Sequence, residues 1–220
     1  MIASKLIVDS LPPLKPSETL YKASLWMSEF KVSHLPVVGQ SDFFGILSEE
    51  DIIDFNGENE TIESTKIQLH LIFAYEHEHI FEVMQKMSDN QLTIMPILDS
   101  NDNYVGATTL PNLMTVASNI TSIKEPGGVI VLKMNSTDYS LAEIAQIVEG
   151  NNARILSSYI TSSHDTTEIE VTIKINKKEL GAILQTFSRY DYNVIESYHK
   201  EEDFRDIKNR FDNLMDMLDL

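Results

Sequence analysis

The chain has 220 residues and a formal net charge of −17, from 17 basic and 34 acidic side chains. A surface with this charge repels phosphate backbones, so direct nucleic-acid binding is not expected. The chain has no cysteine, which excludes disulfides, thiol catalysis and cysteine-based metal sites. The opening residues lack a signal-peptide pattern, and no stretch reaches the ~18 apolar residues of a membrane span. We therefore expect a soluble cytoplasmic protein with no membrane partner.

An amphipathic helix is predicted near the start of the chain. One face of this helix is formed by apolar residues at helical spacing: Leu20, Ala23, Met27 and Phe30. Before them, the sequence Pro12-Pro13 requires extended backbone, and Ile2–Val8 is predicted to form a short helix.

A strand–turn–strand–helix unit follows this helix. Val32–Val38 and Phe43–Leu47 are apolar runs on either side of a polar turn, and Glu49–Phe55 continue as a helix. Ser48 lies directly before that helix, where its hydroxyl can accept a hydrogen bond from a free backbone N–H.

The same unit recurs about sixty residues later, so the first half of the chain is an internal repeat. Leu92–Met114 matches the first unit, with Pro96 in place of Pro36 and Gly106 in place of Gly45.

A polar linker at Gly57–Ser64 is predicted between the repeats. The second repeat should then open with a strand at Ile67–Phe73. A helix should follow, with an apolar face formed by Ile80, Val83, Met84 and Met87. Each repeat is therefore predicted as strand, helix, strand, strand, helix. The apolar face of one repeat can cover that of the other.

Each repeat resembles a CBS domain, and the two together resemble a CBS pair, or Bateman module. Three motifs that both repeats share carry the resemblance: the helix methionine, the strand proline and a Gly-x-x-Ser/Thr-x-x-Asp/Asn run. This run lies at Gly45–Asp51 in the first repeat and at Gly106–Asn112 in the second. The resemblance covers the first half of the chain and implies tandem β-α-β-β-α repeats.

The resemblance also implies that adenosine-type ligands bind in the clefts between the repeats. Ser48 and Thr109 would face phosphate, because a helix N-terminus offers free N–H groups and a favourable dipole. Asp51 and Asn112, one turn into each helix, would face ribose. Residues near the prolines and at the start of each repeat would bracket adenine: Leu11, His34, Leu35, Pro36, Ile72, Met95 and Pro96.

The same residues have a purely structural interpretation as well. Ser48 and Thr109 are good helix caps without any ligand, and Asp51 can bond the backbone of its own turn. Asn112 carries no charge and Pro111 occupies the first helical turn. The second site therefore favours ligand binding less than the first.

Phosphate charge restricts the candidate ligands. No arginine precedes Arg154, and Glu49 and Glu50 crowd the first site, so the repeats cannot offer bidentate recognition of phosphate. The candidate ligands are AMP, ADP, ATP and S-adenosylmethionine. A monophosphate, a nucleoside-like ligand or a nucleotide that brings its own Mg²⁺ is favoured over a bare triphosphate.

Beyond a connector at Thr115–Gly128, the pattern changes to βαββαβ, which is the order of the ferredoxin-like split unit. The predicted elements are strands at Val129–Met134, Arg154–Thr161, Glu168–Ile175 and Tyr192–Tyr198, one helix capped by Ser140, and a second helix at Leu180–Phe187.

Joined to a CBS pair, this order resembles an ACT-type domain, and the whole chain resembles bacterial CBS–ACT proteins of the acetoin-utilisation type. ACT-type domains bind an amino acid near a glycine in the first strand-to-helix loop. The corresponding loop, Asn135–Ser140, has no glycine. A dimerisation sheet without a ligand is therefore an equal alternative for this domain.

These patterns indicate an α+β fold in four segments. They are a first CBS repeat at 1–58, a second CBS repeat at 59–122, an ACT-like domain at 127–199 and a C-terminal helix at 200–220. That last helix has an apolar face, which could pack on its own domain or on a partner subunit.

Catalytic and metal chemistry find little support in the sequence. The two histidines of Glu76–His79 are two residues apart and do not share a helical face. A solvated helix start is favoured over a metal site there. Nucleophile elbows, Walker loops and paired carboxylates are missing, so we do not expect an enzyme.

Two functions remain in competition. One is a regulatory, ligand-sensing protein that binds an adenosine-type nucleotide between the CBS repeats. The other is a ligand-free dimeric interaction scaffold, in which CBS discs stack and ferredoxin-like sheets pair at their edges. Both predict a homodimer and a protein target that the sequence does not identify.

Overall fold

The computed structural model describes residues 1–9, 11–55, 57, 59–162 and 167–198. The chain forms two compact units, Met1–Val116 and Ala117–Leu220. The C-terminal helix expected at 200–220 lies outside the described residues, and the predicted bounds of the four segments stay predictions. In the described part of the chain, no helix is both long and apolar enough to cross a membrane.

The first unit contains both repeats. The first repeat has a 3₁₀ turn at Ala3–Leu6, α1 at Leu20–Phe30, β1 at His34–Val38, β2 at Phe43–Ser48, α2 at Glu49–Phe55 and the short α3 at Ile62–Thr65. The second repeat has β3 at Ala74–Tyr75, α4 at Ile80–Asp89, β4 at Ile94–Leu98, β5 at Tyr104–Thr109 and α5 at Leu110–Ile120.

Helix α1 forms where the periodicity predicts it. Its buried residues are Leu20, Ala23 and Met27. Thr19 is the N-cap, and its side chain accepts a hydrogen bond from a backbone N–H of the first turn. Lys31 ends the helix in the left-handed conformation, with φ of 58°.

The two repeats use the same strand pairing. Strands β1 and β2 are antiparallel, as are β4 and β5, and both hairpins shift register at the equivalent point, after Val37 and after Ile97. Strand β3 runs parallel to β4. In the first repeat, a single parallel bridge between Leu14 and Val37 stands in place of β3.

The strand predicted at Ile67–Phe73 is wrong, because only Ala74–Tyr75 form β3. The preceding segment pairs instead with the other repeat. His70 exchanges two backbone hydrogen bonds with Ile46 of β2, of 2.9 and 3.0 Å. Its backbone groups are therefore satisfied by the first repeat rather than by its own.

The opening segment of the chain makes the reciprocal exchange. The Val8 N–H donates to the Ala107 carbonyl of β5 at 2.9 Å. The opening residues of each repeat therefore pair with the second strand of the other repeat. In this sense the two repeats exchange their opening segments. One hydrophobic core includes buried residues of both repeats, so neither repeat buries its apolar face alone.

Two connecting segments are more ordered than predicted. The supposed linker at Gly57–Ser64 ends in α3, where Ile62 and Thr65 are buried. The supposed connector at Thr115–Gly128 begins as a continuation of α5, which reaches Ile120. Polar composition suggested loops, but burial of Ile62 stabilises the helical turn of α3.

The second unit has the predicted βαββαβ order. Its elements are β6 at Gly128–Asn135, α6 at Leu141–Gly150, β7 at Ile155–Ser162, β8 at Glu168–Ile175, α7 at Gly181–Arg189 and β9 at Asn193–Tyr198. Ser140 caps α6 as predicted, with its hydroxyl accepting from the Glu143 N–H at 3.3 Å. The sheet is antiparallel in the order β7-β8-β6-β9, which is the ferredoxin-like arrangement.

One face of this sheet packs against α6 and α7. Its core includes Ile130, Leu132 and Ile173 from the strands, and Ile144 and Phe187 from the helices. The opposite face carries the alternate residues of each strand.

Candidate functional site

Ser48 and Asp51 bond each other at the start of α2. The Ser48 N–H and hydroxyl donate to Asp51 Oδ2 at 2.9 and 2.6 Å. In return, the Asp51 N–H donates to Ser48 Oγ at 3.1 Å. The arrangement has the reciprocity of a capping box, and it confirms Ser48 as the helix cap.

Two histidines lie beside this pair. His70 Nε2 is 3.3 Å from Asp51 Oδ2. His34 Nδ1 lies 3.0 Å from Thr93 Oγ1 and accepts from the Thr93 N–H at 3.3 Å. An Nδ1 that accepts a hydrogen bond belongs to a neutral imidazole, whose proton is on Nε2.

Burial is the main cause that lowers the pKa of His34 below its usual value. The charge of His70 lowers it further, while the nearby carboxylates of Asp51, Glu50 and Glu49 oppose the shift. His34 is therefore held as a neutral hydrogen-bonding group at physiological pH.

Sequence reasoning missed His70 as a member of this site. It is distant from Asp51 in sequence and belongs to no motif. The two meet because the segment before β3 pairs with β2. A repeat alignment that allowed exchanged opening segments could have suggested the contact.

The second site is built from the equivalent residues with different bonding. Thr109 Oγ1 accepts from the Asn112 N–H at 3.4 Å. The Asn112 side-chain amide donates to the Leu6 carbonyl at 2.9 Å and to Thr108 Oγ1 at 3.2 Å. Asn112 thus anchors the opening segment of the chain against α5.

A glycine lets the exchanged segment approach each hairpin. Gly45 has φ of 138°, and a Cβ there would lie 2.6 Å from the Leu69 Cβ. Gly106 has φ of 155°, and a Cβ there would lie 2.5 Å from the Ile7 Cγ2. The shared glycine of the two motifs therefore leaves room for the neighbouring segment and adopts a backbone conformation that L residues rarely adopt.

The residues predicted to bracket adenine differ in how deeply they are buried. His34 and Ile72 are half-buried, and Leu11 is buried at 6% exposure. The other four are buried in the core, two of them completely: Leu35, Pro36, Met95 and Pro96. The structure brings Ser48, Asp51 and His34 to one place and Thr109 with Asn112 to another, and the role of the buried set in binding adenine stays a prediction.

The acidic and histidine-rich segment before α4 is occupied by capping contacts. His79 is the N-cap of α4 and its Nδ1 accepts from the Phe81 N–H at 3.3 Å. Glu78 bonds Lys86 at 2.7 Å. The His77 ring stacks on Tyr75 with centroids 5.6 Å apart. Within the described ranges, no group of three potential metal ligands converges.

The loop at which ACT-type domains bind amino acids is also compact here. Ser136–Asp138 form a 3₁₀ turn after β6. The Ser136 N–H donates to the Thr167 carbonyl at 2.9 Å, so a backbone donor near the end of the strand is already used.

The first unit contains two repeats that share one strand pairing and one Gly-x-x-Ser/Thr-x-x-Asp/Asn motif. A family profile for the CBS domain matches residues 3–58 and 65–119. The chain belongs to the CBS domain family, and the CBS-pair resemblance drawn from the sequence is confirmed.

Two solved structures and one curated relative are each similar to about half of the chain. A CBS domain pair/ACT domain protein from Thermotoga maritima is 19% identical, with a TM-score of 0.48, over 54% of this chain and 98% of that chain. A putative acetoin utilization protein from Vibrio cholerae is 17% identical, with a TM-score of 0.48, over 56% of this chain and 95% of that chain.

The curated relative is a homoserine O-acetyltransferase from Methanococcus vannielii, 24% identical over 117 residues. The match covers 51% of this chain and 24% of that relative. The chain therefore matches about a quarter of the length of that protein.

Proposed function

We propose that this protein is a regulatory ligand sensor that binds an adenosine-type nucleotide beside α2. We call the site at Ser48 and Asp51 the first cleft, and the site at Thr109 and Asn112 the second cleft. The observation that supports this most directly is the bonding of Asp51. Its contacts with Ser48 and His70 all use Oδ2. Oδ1 is left to accept hydrogen bonds from ribose hydroxyls, as the family motif implies.

The neighbouring histidines favour a ligand of modest charge. His34 offers its Nε2–H as a donor where other nucleotide sites use arginine, while His70 Nε2 already lies 3.3 Å from Asp51 Oδ2. Exposed Glu49 and Glu50 add negative charge beside them. AMP, or a nucleotide that carries its own Mg²⁺, therefore fits this cleft better than a bare triphosphate.

The second cleft supports binding less well. The Asn112 amide already donates to the Leu6 carbonyl and to Thr108. A ligand there would have to replace bonds that hold the opening segment. We therefore propose one nucleotide per chain, in the first cleft.

Regulation requires that the nucleotide bind one arrangement of the protein better than another. The CBS pair is a regulatory module, and no catalytic activity is proposed. The second unit is proposed to be an ACT-type domain that contributes its sheet to a homodimer.

The test is a thermal-shift and calorimetric screen of the full chain with AMP, ADP, ATP and S-adenosylmethionine, each with and without Mg²⁺. A nucleotide at one hundred times its dissociation constant should stabilise the protein by about 2.7 kcal/mol. Asp51→Ala should abolish this increment, while Asn112→Ala, the matched change in the second cleft, should retain it.

Asp51→Ala also weakens the cap of α2, so the readout is the ligand-dependent change in each variant rather than its absolute melting temperature. Asp51→Asn keeps a neutral oxygen and should bind nucleotide weakly. The proposal fails if no adenosine compound stabilises the wild type, or if Asp51→Ala responds as the wild type does.

A ligand-free dimeric scaffold is the second candidate, and one observation favours it. Ser48 and Asp51 form a reciprocal helix cap without a ligand. A scaffold would remain dimeric in light scattering and would show no nucleotide-dependent stabilisation in the wild type or in any of the three variants.

A further inference from the structure

A cavity of about 510 Å³ lies at one end of the sheet in the second unit. Its floor is a row of register partners that crosses three strands, with Lys174 on β8, Val129 on β6 and Tyr198 on β9. The segment Ile123–Gly127 forms one wall, and Lys178 lines the cavity from the loop after β8. The lining belongs entirely to the second unit.

The wall of the cavity is held in place at both ends. Gly127 lies so close to the Ile175 carbonyl oxygen that any Cβ would overlap it. The next residue, Gly128, donates its N–H to the Lys177 carbonyl at 2.9 Å. At the other end, Ser157 Oγ donates to the Thr121 carbonyl at 2.8 Å. The cavity is therefore preformed by the fold.

Positive charge is concentrated in this cavity although the chain carries −17 overall. Its lining contains Lys124, Lys174 and Lys178, against one carboxylate, Glu125. None of these lysines forms an ion pair with a carboxylate in the described part of the chain. Lys174 Nζ donates to the Gly127 carbonyl at 3.3 Å.

Unpaired like charges in one concave site repel one another and raise the local concentration of counter-ions. An anion bound among them relieves that repulsion. The apolar side chains of Ile123, Pro126 and Val129 lie on the same wall and floor, so they can cover the carbon skeleton of an organic molecule.

We propose that this cavity binds a small organic anion with two or more negative charges, carried by carboxylate or phosphate groups. Its volume lies in the range of small-molecule sites, about 300 to 1,000 Å³. The cavity lies where β6 begins, at the opposite end of that strand from the loop at Asn135–Ser140. It is separate from the proposed nucleotide cleft and does not depend on it.

The test is calorimetric titration of the full chain with inorganic pyrophosphate and with citrate, at low salt. The double variant Lys124→Gln/Lys178→Gln removes two exposed charges from the lining without touching the core. Arg154→Gln is the matched control, because Arg154 is an exposed cation of the same unit outside the lining.

We expect saturable binding of at least one probe to the wild type, and at least a tenfold weakening in the double variant. Arg154→Gln should bind within about twofold of wild type, since its charge acts only at long range. Binding of pyrophosphate alone would indicate a phosphate-bearing ligand, and binding of citrate alone a polycarboxylate.

The proposal is overturned if neither probe binds the wild type saturably, or if Arg154→Gln weakens binding as much as the double variant does. Asp51→Ala separates the two proposals. It should leave the binding of these probes unchanged, and a loss in that variant would place the anion in the first cleft instead.

Discussion

The two CBS repeats share the same arrangement of strands and helices, but the equivalent residues Asp51 and Asn112 make different hydrogen bonds. At the start of α2, Ser48 and Asp51 cap each other through Asp51 Oδ2, and Oδ1 is the oxygen proposed to bind a ligand. At the start of α5, the Asn112 amide is bonded to the Leu6 carbonyl and serves the fold. A repeated backbone thus leaves each copy free to direct the same motif position to binding or to structure.

The largest expected difference concerns the shared glycine. Gly45→Ala would place its Cβ against the Leu69 Cβ and near the His70 carbonyl, which cannot move without breaking the pairing with β2. Gly106→Ala would meet only the Ile7 side chain, which can rotate.

Both glycines also have a φ that L residues rarely adopt, so both changes should destabilise. We expect about 3 kcal/mol for Gly45→Ala and about 2 kcal/mol for Gly106→Ala in urea unfolding. Equal losses would mean that the two hairpins are equally constrained, and a larger loss at Gly106 would contradict the comparison.

A smaller effect on stability is expected at the residue that begins the second strand of each hairpin, Phe43 in β2 and Tyr104 in β5. Tyr104 lies opposite Leu98 as Phe43 lies opposite Val38. The Tyr104 hydroxyl is buried with no hydrogen-bond partner in the described part of the chain, and burial raises the pKa of this phenol. A buried, unpaired hydroxyl costs free energy.

Tyr104→Phe introduces the residue type found at the equivalent position of the first repeat. It should therefore raise the free energy of unfolding by about 1 kcal/mol. Tyr75→Phe is the control, because the Tyr75 hydroxyl is exposed and donates to Asp102 at 2.9 Å. It should be neutral or slightly destabilising, and the same result in both variants would disprove the role of burial.

The smallest expected effect is a pH dependence confined to the first repeat. His34 has Ile94 as its counterpart in the second, which does not titrate. Because burial lowers the pKa of His34 in the folded state, the unfolded chain binds more protons as the pH falls. The stabilisation is therefore complete above the usual histidine pKa of about 6.5 and is lost as the pH falls through the folded-state pKa.

His34→Asn can keep an oxygen acceptor for the Thr93 N–H but does not titrate in this range. Its free energy of unfolding should vary less between pH 7.5 and pH 5.5, values near the ordinary histidine range of about 6.5, than that of wild type. Parallel pH profiles for the two proteins would show that His34 does not contribute.

Motif and periodicity predicted the elements that bury one face. Helix α1, the hairpin of β7 and β8 and the cap at Ser140 lie where the pattern places them. These features depend on local spacing, which the sequence displays directly. The segment at Ile67–Phe73 was misread because its partner, β2, is supplied by the other repeat.

The candidate site likewise combines residues that local spacing predicts with one that only the tertiary structure adds. Ser48 and Asp51 could be named together because one helical turn separates them. His70 could not be added to them, since its contact with Asp51 depends on the exchange of opening segments. The lysines of the cavity in the second unit also come from three separate elements and share no motif.

The sequence by itself determined the internal repeat, the CBS motifs and the βαββαβ order, because each is written in spacing along one chain. Tertiary structure decided which segment closes each cleft, how Asp51 and Asn112 are used, and where positive charge collects. Those outcomes depend on contacts between residues far apart in sequence, and pairing of that kind is set by packing and by the need to satisfy backbone hydrogen bonds.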